Sequence, residues 1–261
     1  MKLLDLTLPS PAENLACDEA LLDWCENGKG DEVLRLWESR EHFVVVGYAN
    51  KIANEVNMAA CEKRGIPILR RCSGGGTVLQ GPGCLNYTLV LRITDNGPLR
   101  NISATNQFIM ERNRTAIESL FLKSAIHNSP RRIQGPQSTI RNPQSAILVC
   151  GSTDLVIGGR KFSGNSQRRR KNFLLFHGTF LLDFNLLLID ELLRMPSKQP
   201  DYRQDRNHGE FLMNLKIPAN QLKNALAKAW NATGESGDFP EQELYKLAVE
   251  KYSTAKWNFK L

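Results

Sequence analysis

The chain has 261 residues, 41% hydrophobic and 23% charged, enough apolar side chain for the core of one globular domain over 1–261. Its net charge of +7 suits an anionic partner, whether nucleotide, nucleic acid or acidic protein surface, without choosing among them. The opening MKLLDLTLPSPAEN has no long apolar segment or small-residue cleavage site, and no run nears the roughly 20 apolar residues of a membrane span, so a soluble cytoplasmic protein is expected.

Ser10-Pro11-Ala12-Glu13 joins a capping serine, a proline at the first helical position and a glutamate that can reach back, predicting a helix that stops near Asn27-Gly28. Two β-rich runs follow, Val33 to Trp37 and Phe43 to Gly47, then a short helix ending on Gly65 and a strand from Ile66 to Arg71. Past a glycine-rich loop, Leu85, Tyr87, Leu89, Leu91 and Ile93 alternate with Asn86, Thr88, Val90 and Arg92, the pattern of a half-buried strand. Ser103 is placed to cap a helix running to about Lys123, and 127–145, polar and proline-rich, is expected to be a surface loop. Strands return at Ile147 to Cys150 and Asp154 to Ile157, with Gly158-Gly159 suited to a tight hairpin. The basic stretch Arg168 to Lys171 precedes a strand from Phe173 to Leu182, and helical patterns follow Asp183. Strands in the middle with helices around them predict an α+β fold with a mixed, mostly antiparallel sheet.

The loop RRCSGGGTVLQGPGCLN lets backbone approach a ligand closely, and successive amides can form an anion-binding concavity, with Arg70 and Arg71 adding charge at its entry. It has neither the GxxxxGK[ST] of phosphate loops nor a GxGxxG opening a helix. Taken alone it is equally a flexible hairpin. Lys161, just past the Gly158-Gly159 turn, and His177, inside an apolar strand, are the other chemistry-bearing positions; a solvated lysine and a satisfied core histidine are their ordinary structural explanations. Cys17, Cys25, Cys61, Cys72, Cys84 and Cys150 include no CxxC or CxH pair and read as reduced thiols, not as a disulfide frame or zinc site.

Together these segments resemble the lipoate-protein ligase family, within the biotin and lipoate ligase fold, whose catalytic domains are class II synthetase-like. Arg70 through Asn86 meets R-R-x-[ST]-G-G-G-x-V-x-x-x-x-G-x-x-N, Asp154 to Gly164 meets an aspartate-led strand, turn and K-[IVF]-x-G, and His177 to Leu181 meets H-[GA]-[ST]-[LFM]-L, in the right order and spacing. N-L-A-C-D-E-A-L-L and the Glu250 to Asn258 segment extend the likeness over nearly the whole chain.

The resemblance implies that lipoate or octanoate attacks the α-phosphate of ATP, delivered with Mg²⁺, and that a lysine of a lipoyl acceptor domain then takes the acyl group. The acceptor would be a dehydrogenase E2 subunit or a glycine-cleavage H protein. It implies Lys161 as the catalytic cation, with Arg70, Arg71, Ser73, Gly74, Gly75 and Gly76 along the ligand's path and Val78 against the acyl chain. Asn86 would lie near the carbonyl or phosphate, Asp154 would orient adenine or metal, and Gly164 and His177 would complete the site. Two departures stand out: Leu79-Gln80-Gly81-Pro82 replaces the family's common Y-H-D, and the chain ends where a catalytic domain does, so a separate accessory-domain protein is a further possible partner. The same fold also includes octanoyl transferases that work through a cysteine thioester without ATP, for which Cys150 is the candidate nucleophile, with Cys72 and Cys84 behind it. A basic module binding nucleic acid or an acidic protein through Arg168 to Lys171 is the non-enzymatic alternative, though the aromatic interleaving of nucleic-acid binders is missing. The membrane has no part in any of these readings.

Overall fold

The computed structural model describes residues 1–127, 146–196, 198–234 and 239–261. The loop expected over 127–145 lies outside them, apart from His127, which ends a helix. Helix α1 (Pro11–Glu26) begins on the expected box: Ser10 Oγ accepts from Glu13 N at 3.2 Å while Glu13 Oε2 accepts from Ser10 N at 2.8 Å. It ends at Asn27, and Gly28 takes φ +73° to turn the chain away.

Among the described residues the strands are β1 (Lys2–Asp5), β2 (Val33–Trp37), β3 (Phe43–Val46), β4 (Ile68–Arg70), β5 (Val78–Gln80), β6 (Cys84–Arg92), β7 (Ile147–Cys150), β8 (Asp154–Ile157), β9 (Arg160–Arg169) and β10 (Phe173–Leu181). The further helices are α2 (Ile52–Glu55), α3 (Met58–Lys63), α4 (Ile102–His127), α5 (Leu187–Leu192), α6 (His208–Phe211), α7 (Ala219–Ala229), α8 (Glu241–Leu247) and α9 (Ala255–Asn258), with a π turn at Ala248–Tyr252 between the last two. Seven strands form one sheet in the order β1-β2-β6-β10-β9-β8-β7, and β4-β3-β5 form a second. Every pair is antiparallel except β1 with β2 and β3 with β4, so the fold is the expected α+β type.

Strand β6 explains where the site can lie. Its alternation predicts one wet face, but the strand is buried from Cys84 through Leu91. Leu85, Tyr87, Leu89 and Leu91 enter the main core with Ile109 and Ile117 of α4 and Leu222 and Leu226 of α7. The opposite face carries two cross-strand rows, Trp37–Asn86–Thr179–Gly164 and Arg35–Thr88–His177–Ser166. Beyond them Val33, Val90 and Leu175 pack under Cys17, Leu21 and Leu22 of α1. Helix α1 reaches the small sheet as well, through Ala12, Leu15 and Ala16 against Phe43, Val45 and Leu69. The polar positions of β6 therefore face an enclosed space between layers, not solvent.

Three further expectations change. Residues 78–80, inside the segment expected to be loop, pair with β3. Residues 160–169 are a ten-residue strand, which places Arg168 and Arg169 in the sheet. Asn101, not Ser103, caps α4, its Oδ1 accepting from Ala104 N at 2.9 Å. Among the described residues no helix is long and apolar enough to cross a membrane.

Candidate active site

The polar rows, the glycine loop and the β8–β9 hairpin enclose a cavity of about 350 Å³. The loop is built around Arg71, whose Nε donates to Ser73 Oγ (3.1 Å) and Gly74 O (3.0 Å), and whose Nη2 donates to Gly74 O (2.5 Å) and Gly76 O (2.7 Å). Ser166 Oγ adds a bond to Gly74 O at 2.8 Å. A trans peptide points its N–H opposite to its C=O, so carbonyls gathered on Arg71 turn the amides of Gly75 and Thr77 outward. Among the described residues the amides of 74–77 donate to nothing. Gly75 needs its glycine for φ +83°. Gly74 and Gly76 do not: both are exposed, and a Cβ at either would meet open space.

Arg71 lines the cavity, and burial pulls its guanidinium down to about 10. Among the described residues it has no carboxylate partner, its acceptors being neutral oxygens. A buried cation without a counter-ion favours an anionic ligand. Arg70 departs from its expected place along the ligand's path. Its Nη1 donates to the carbonyls of Gly47 (2.8 Å), Tyr48 (3.1 Å) and Asn50 (2.8 Å), and its Nε to Asn258 O (3.1 Å). It does not line the cavity; it ties the 47–50 turn to α9.

On the opposite wall Lys161 Nζ lies 2.8 Å from Asp154 Oδ1, and Tyr202 donates its hydroxyl to Asp154 Oδ2 at 2.7 Å. Burial first, then the Asp154 charge, push the Tyr202 phenol up, keeping it a donor. The lysine folds back over the strand: a Cβ on Gly164 would sit 2.8 Å from its Nζ, the physical content of the K-x-x-G spacing. Val78, Thr77 and Asn86 line the same cavity. The expected role of Asp154 in orienting adenine or metal meets a carboxylate already shared between Lys161 and Tyr202, and among the described residues no group of three metal-ligating side chains forms.

His177 also lines the cavity, and it is not a simple core group. Its Nε2 meets Ser73 Oγ at 2.6 Å and its Nδ1 meets Asp18 Oδ2 at 2.9 Å. The Asp18 carboxylate only accepts, so the ring donates Nδ1–H to it, and Ser73 Oγ and Nε2 share the other bond. Asp18 also takes Arg35 Nη1 and Thr88 Oγ1, both at 2.8 Å. Burial alone would raise the Asp18 carboxyl, but the bonds from His177 and Thr88 and the Arg35 charge hold it below the ordinary range. The chain Arg71–Ser73–His177–Asp18–Arg35 thus fastens the glycine loop to the sheet. The sequence signal that could have found Asp18 is an acidic pair, Asp18-Glu19, in the middle of a helix otherwise apolar on most sides; nothing marked Tyr202.

The family model for the lipoyl protein ligase A/B catalytic domain matches residues 10–229, which include the glycine loop, Lys161 and His177. The chain belongs to this family. It is an enzyme of the ligase and transferase type that the family comprises. Curated relatives include the octanoyltransferase LipM of Halalkalibacterium halodurans, 28% identical over 271 residues covering 96% of this chain and 95% of the relative, and that of Bacillus subtilis, 28% identical over 276 residues covering 99% and 98%. Solved structures of the same fold include a putative lipoate protein ligase from T. acidophilum with bound lipoic acid (TM-score 0.72, 21% identity, 99% of this chain and 98% of that one). Another is lipoate-protein ligase A bound with ATP (TM-score 0.71, 24% identity, again 99% and 98%). A third T. acidophilum structure is described as a bi-partite lipoate protein ligase and its E2 lipoyl domain (TM-score 0.73, 21% identity, 99% of this chain and 95% of that one).

Within this lipoyl ligase and transferase family the thiols separate two chemistries. Cys150 ends β7 opposite Asp154 and does not line the cavity; burial and the Asp154 charge both push its thiol up. Burial pushes Cys17, Cys25, Cys72 and Cys84 up to about 12 and raises Cys61. Three of the four residues of the basic stretch are bonded internally, Arg168 donating to Cys72 O (2.8 Å), Arg169 to Leu99 O (2.7 Å) and Arg170 to Asp23 (2.7 Å), while Lys171 is exposed.

Proposed function

We propose that this protein is an ATP-dependent ligase that converts lipoate or octanoate to its acyl-adenylate and passes the acyl group to a lysine of a lipoyl acceptor protein. In the first step a carboxylate oxygen bonds to the α-phosphorus of ATP and pyrophosphate leaves. In the second the acceptor amine bonds to the acyl carbon, AMP leaves, and the amine loses its proton. Lys161 is suited to hold the acyl and α-phosphate oxygens as charge builds on them, and the unspent amides of 74–77 with the Arg71 charge behind them suit the same anion. Mg²⁺ bound with the nucleotide would supply further neutralising charge; Asp154, the carboxylate of this wall, would have to give up Lys161 or Tyr202 to hold it. The E2 lipoyl domain described with the bi-partite ligase among the fold neighbours supports an acceptor of that kind, and an H protein or a separate accessory protein is part of the same proposal.

The observation that favours the ligase reading over the thioester one is that Cys150, though opposite Asp154, is not among the side chains lining the cavity, and that burial and the Asp154 charge push its thiol up, whereas a nucleophilic cysteine is helped by a lowered thiol. The names of the curated relatives favour the transferase reading, in which an acyl carrier thioester would be the donor. Acid-dependent ATP–pyrophosphate exchange separates the two. We expect exchange with lipoate or octanoate that falls at least about 100-fold in Lys161→Ala; absent exchange, with octanoyl transfer from carrier protein that disappears in Cys150→Ala, would replace the ligase by the transferase.

A further inference from the structure

A second group of charges lies outside the cavity, around Tyr48. Lys260 Nζ stands 3.4 Å from the centre of the Tyr48 ring and 4.1 Å from that of Trp257, and the Arg168 guanidinium lies 5.7 Å from the Tyr48 ring. Lys251 Nζ, 4.0 Å from the Trp257 ring, is held by Glu19 at 2.6 Å. Lys260 and Arg168 have no such carboxylate among the described residues; Arg168 donates only to the neutral carbonyl of Cys72. Burial lowers the Lys260 ammonium, and the Arg70 and Lys251 charges add to that against the attraction of Tyr48. Two cations crowded on one ring repel each other until an anion joins them.

The group is a surface and not a pocket. Tyr48 is 42% exposed and Phe259 49%, and Tyr48, Trp257 and Lys260 do not line the cavity. A small anion is held where several donors converge in a concavity, whereas exposed tyrosine and tryptophan beside arginine are what the centres of protein interfaces are made of. Exposed Lys51 and Lys256, close in sequence to Tyr48 and Trp257, extend the positive charge. The position of the group says which protein meets it. Tyr48 N donates to Ser73 O at 2.8 Å, and Gly47 packs on Gly75 so closely that a Cβ there would lie 2.1 Å from the Gly75 carbonyl. Arg168 stands two residues along β9 from Ser166, which bonds Gly74 O. Gly75 and Ser166 line the cavity, so Tyr48 and its cations form the outer shoulder of the glycine loop. In the reading above, the second substrate is a lysine on a folded protein. Its side chain reaches only about 6 Å from the backbone, so the protein that delivers it must lie against the walls of the cavity, the glycine loop among them.

We propose that Tyr48, Trp257, Lys260 and Arg168 form a docking surface for the acceptor protein, whose carboxylates beside the target lysine pair with Lys260 and Arg168. The proposal rests on the acceptor part of the reading above and is independent of how the acyl group is activated. Titration calorimetry of an unmodified E2 lipoyl domain into the whole protein, at low salt and with no acyl donor present, tests it. Lys260→Glu and Tyr48→Ala are each expected to weaken binding about tenfold. Lys228→Glu makes the same charge change as Lys260→Glu but on α7, which covers the other face of the main sheet, and is expected to weaken it by less than about twofold. Thermal midpoints certify that the variants are folded, and either of the first two suffices alone. Equal affinity in wild type and the folded variants overturns the proposal, as does a wild-type protein that does not bind the domain or that binds duplex DNA more tightly through Lys260. Intact mass of the domain, after incubation with lipoate, ATP and Mg²⁺ or with octanoyl carrier protein, keeps the two readings apart. A modified domain with unchanged affinity in the variants removes the docking surface and leaves the enzyme's acceptor, whereas Lys260-dependent binding without modification by either donor keeps the surface and removes the acyl transfer.

Discussion

Gly164 shows what a motif glycine does when its backbone does not need one. An alanine Cβ there would press on Lys161 Nζ and Cε, at 2.8 and 2.9 Å, and these are the mobile end of a long side chain. The lysine can swing away, so Gly164→Ala is expected to alter unfolding free energy by less than about 0.5 kcal/mol while lowering kcat/KM about tenfold or more through a displaced cation. Urea unfolding and steady-state kinetics on one preparation check this, and equal losses in both would mean that the glycine serves packing. Lys161 was singled out by the match of 154–164 to the family pattern, since its place after Gly158-Gly159 alone reads as a solvated lysine. The role of Arg70 was not legible: two adjacent arginines look alike in sequence, yet on consecutive residues one guanidinium turns into the glycine loop and the other toward Asn258. Asn258→Ala removes the acceptor of Arg70 N, bonded at 2.9 Å, and is expected to cost about 1–3 kcal/mol in denaturant unfolding; an unchanged midpoint would show that α9 is not a structural clamp.

At the scale of elements, α1 and β6 hold the lesson about patterns. The capping box and the Asn27-Gly28 stop of α1 were readable because they are local. Its partnership with His177 was not, because the hydrogen bond joins residues 159 positions apart. On β6 the period of two was right, but Asn86 and Thr88 face the site and Asp18 instead of water; periodicity reports that two faces differ, not what covers the polar one. Strand β9 escaped notice because the residues it turns to the polar face, Gly164 and Ser166, carry the site and not the core. The Asp18 network gives a pH test with a definite sign. Its folded carboxyl lies below the ordinary 3.8, so the network adds stability at pH above that value and loses it as pH falls through the lowered one. Asp18→Asn leaves Arg35 buried without its partner and is expected to cost about 3 kcal/mol or more near pH 7. The gap between variant and wild type in thermal unfolding should narrow as pH drops below about 4; a gap that stays constant to pH 2.5 would contradict this origin.

For the whole molecule, the glycine loop, the β8–β9 hairpin and β10 come from distant parts of the chain, and the fold makes them walls of one cavity. The order of the three motifs made that legible as a family resemblance, and the α+β class followed from strands in the middle with helices around them. The choice between adenylate and thioester chemistry was not legible, because Cys150 lies 11 positions before Lys161 and sequence distance does not say whether a thiol faces the cavity or what its surroundings do to its proton. Intact-mass analysis of a lipoyl acceptor domain, incubated with lipoate, ATP and Mg²⁺ and either the wild-type protein or Cys150→Ala, measures that choice directly. The proposed ligase adds one lipoyl group per acceptor with either protein and none with Lys161→Ala. An acceptor that stays unmodified with lipoate and ATP, even when the accessory protein is supplied, but gains an octanoyl group from octanoyl carrier protein in a Cys150-dependent way, would contradict it.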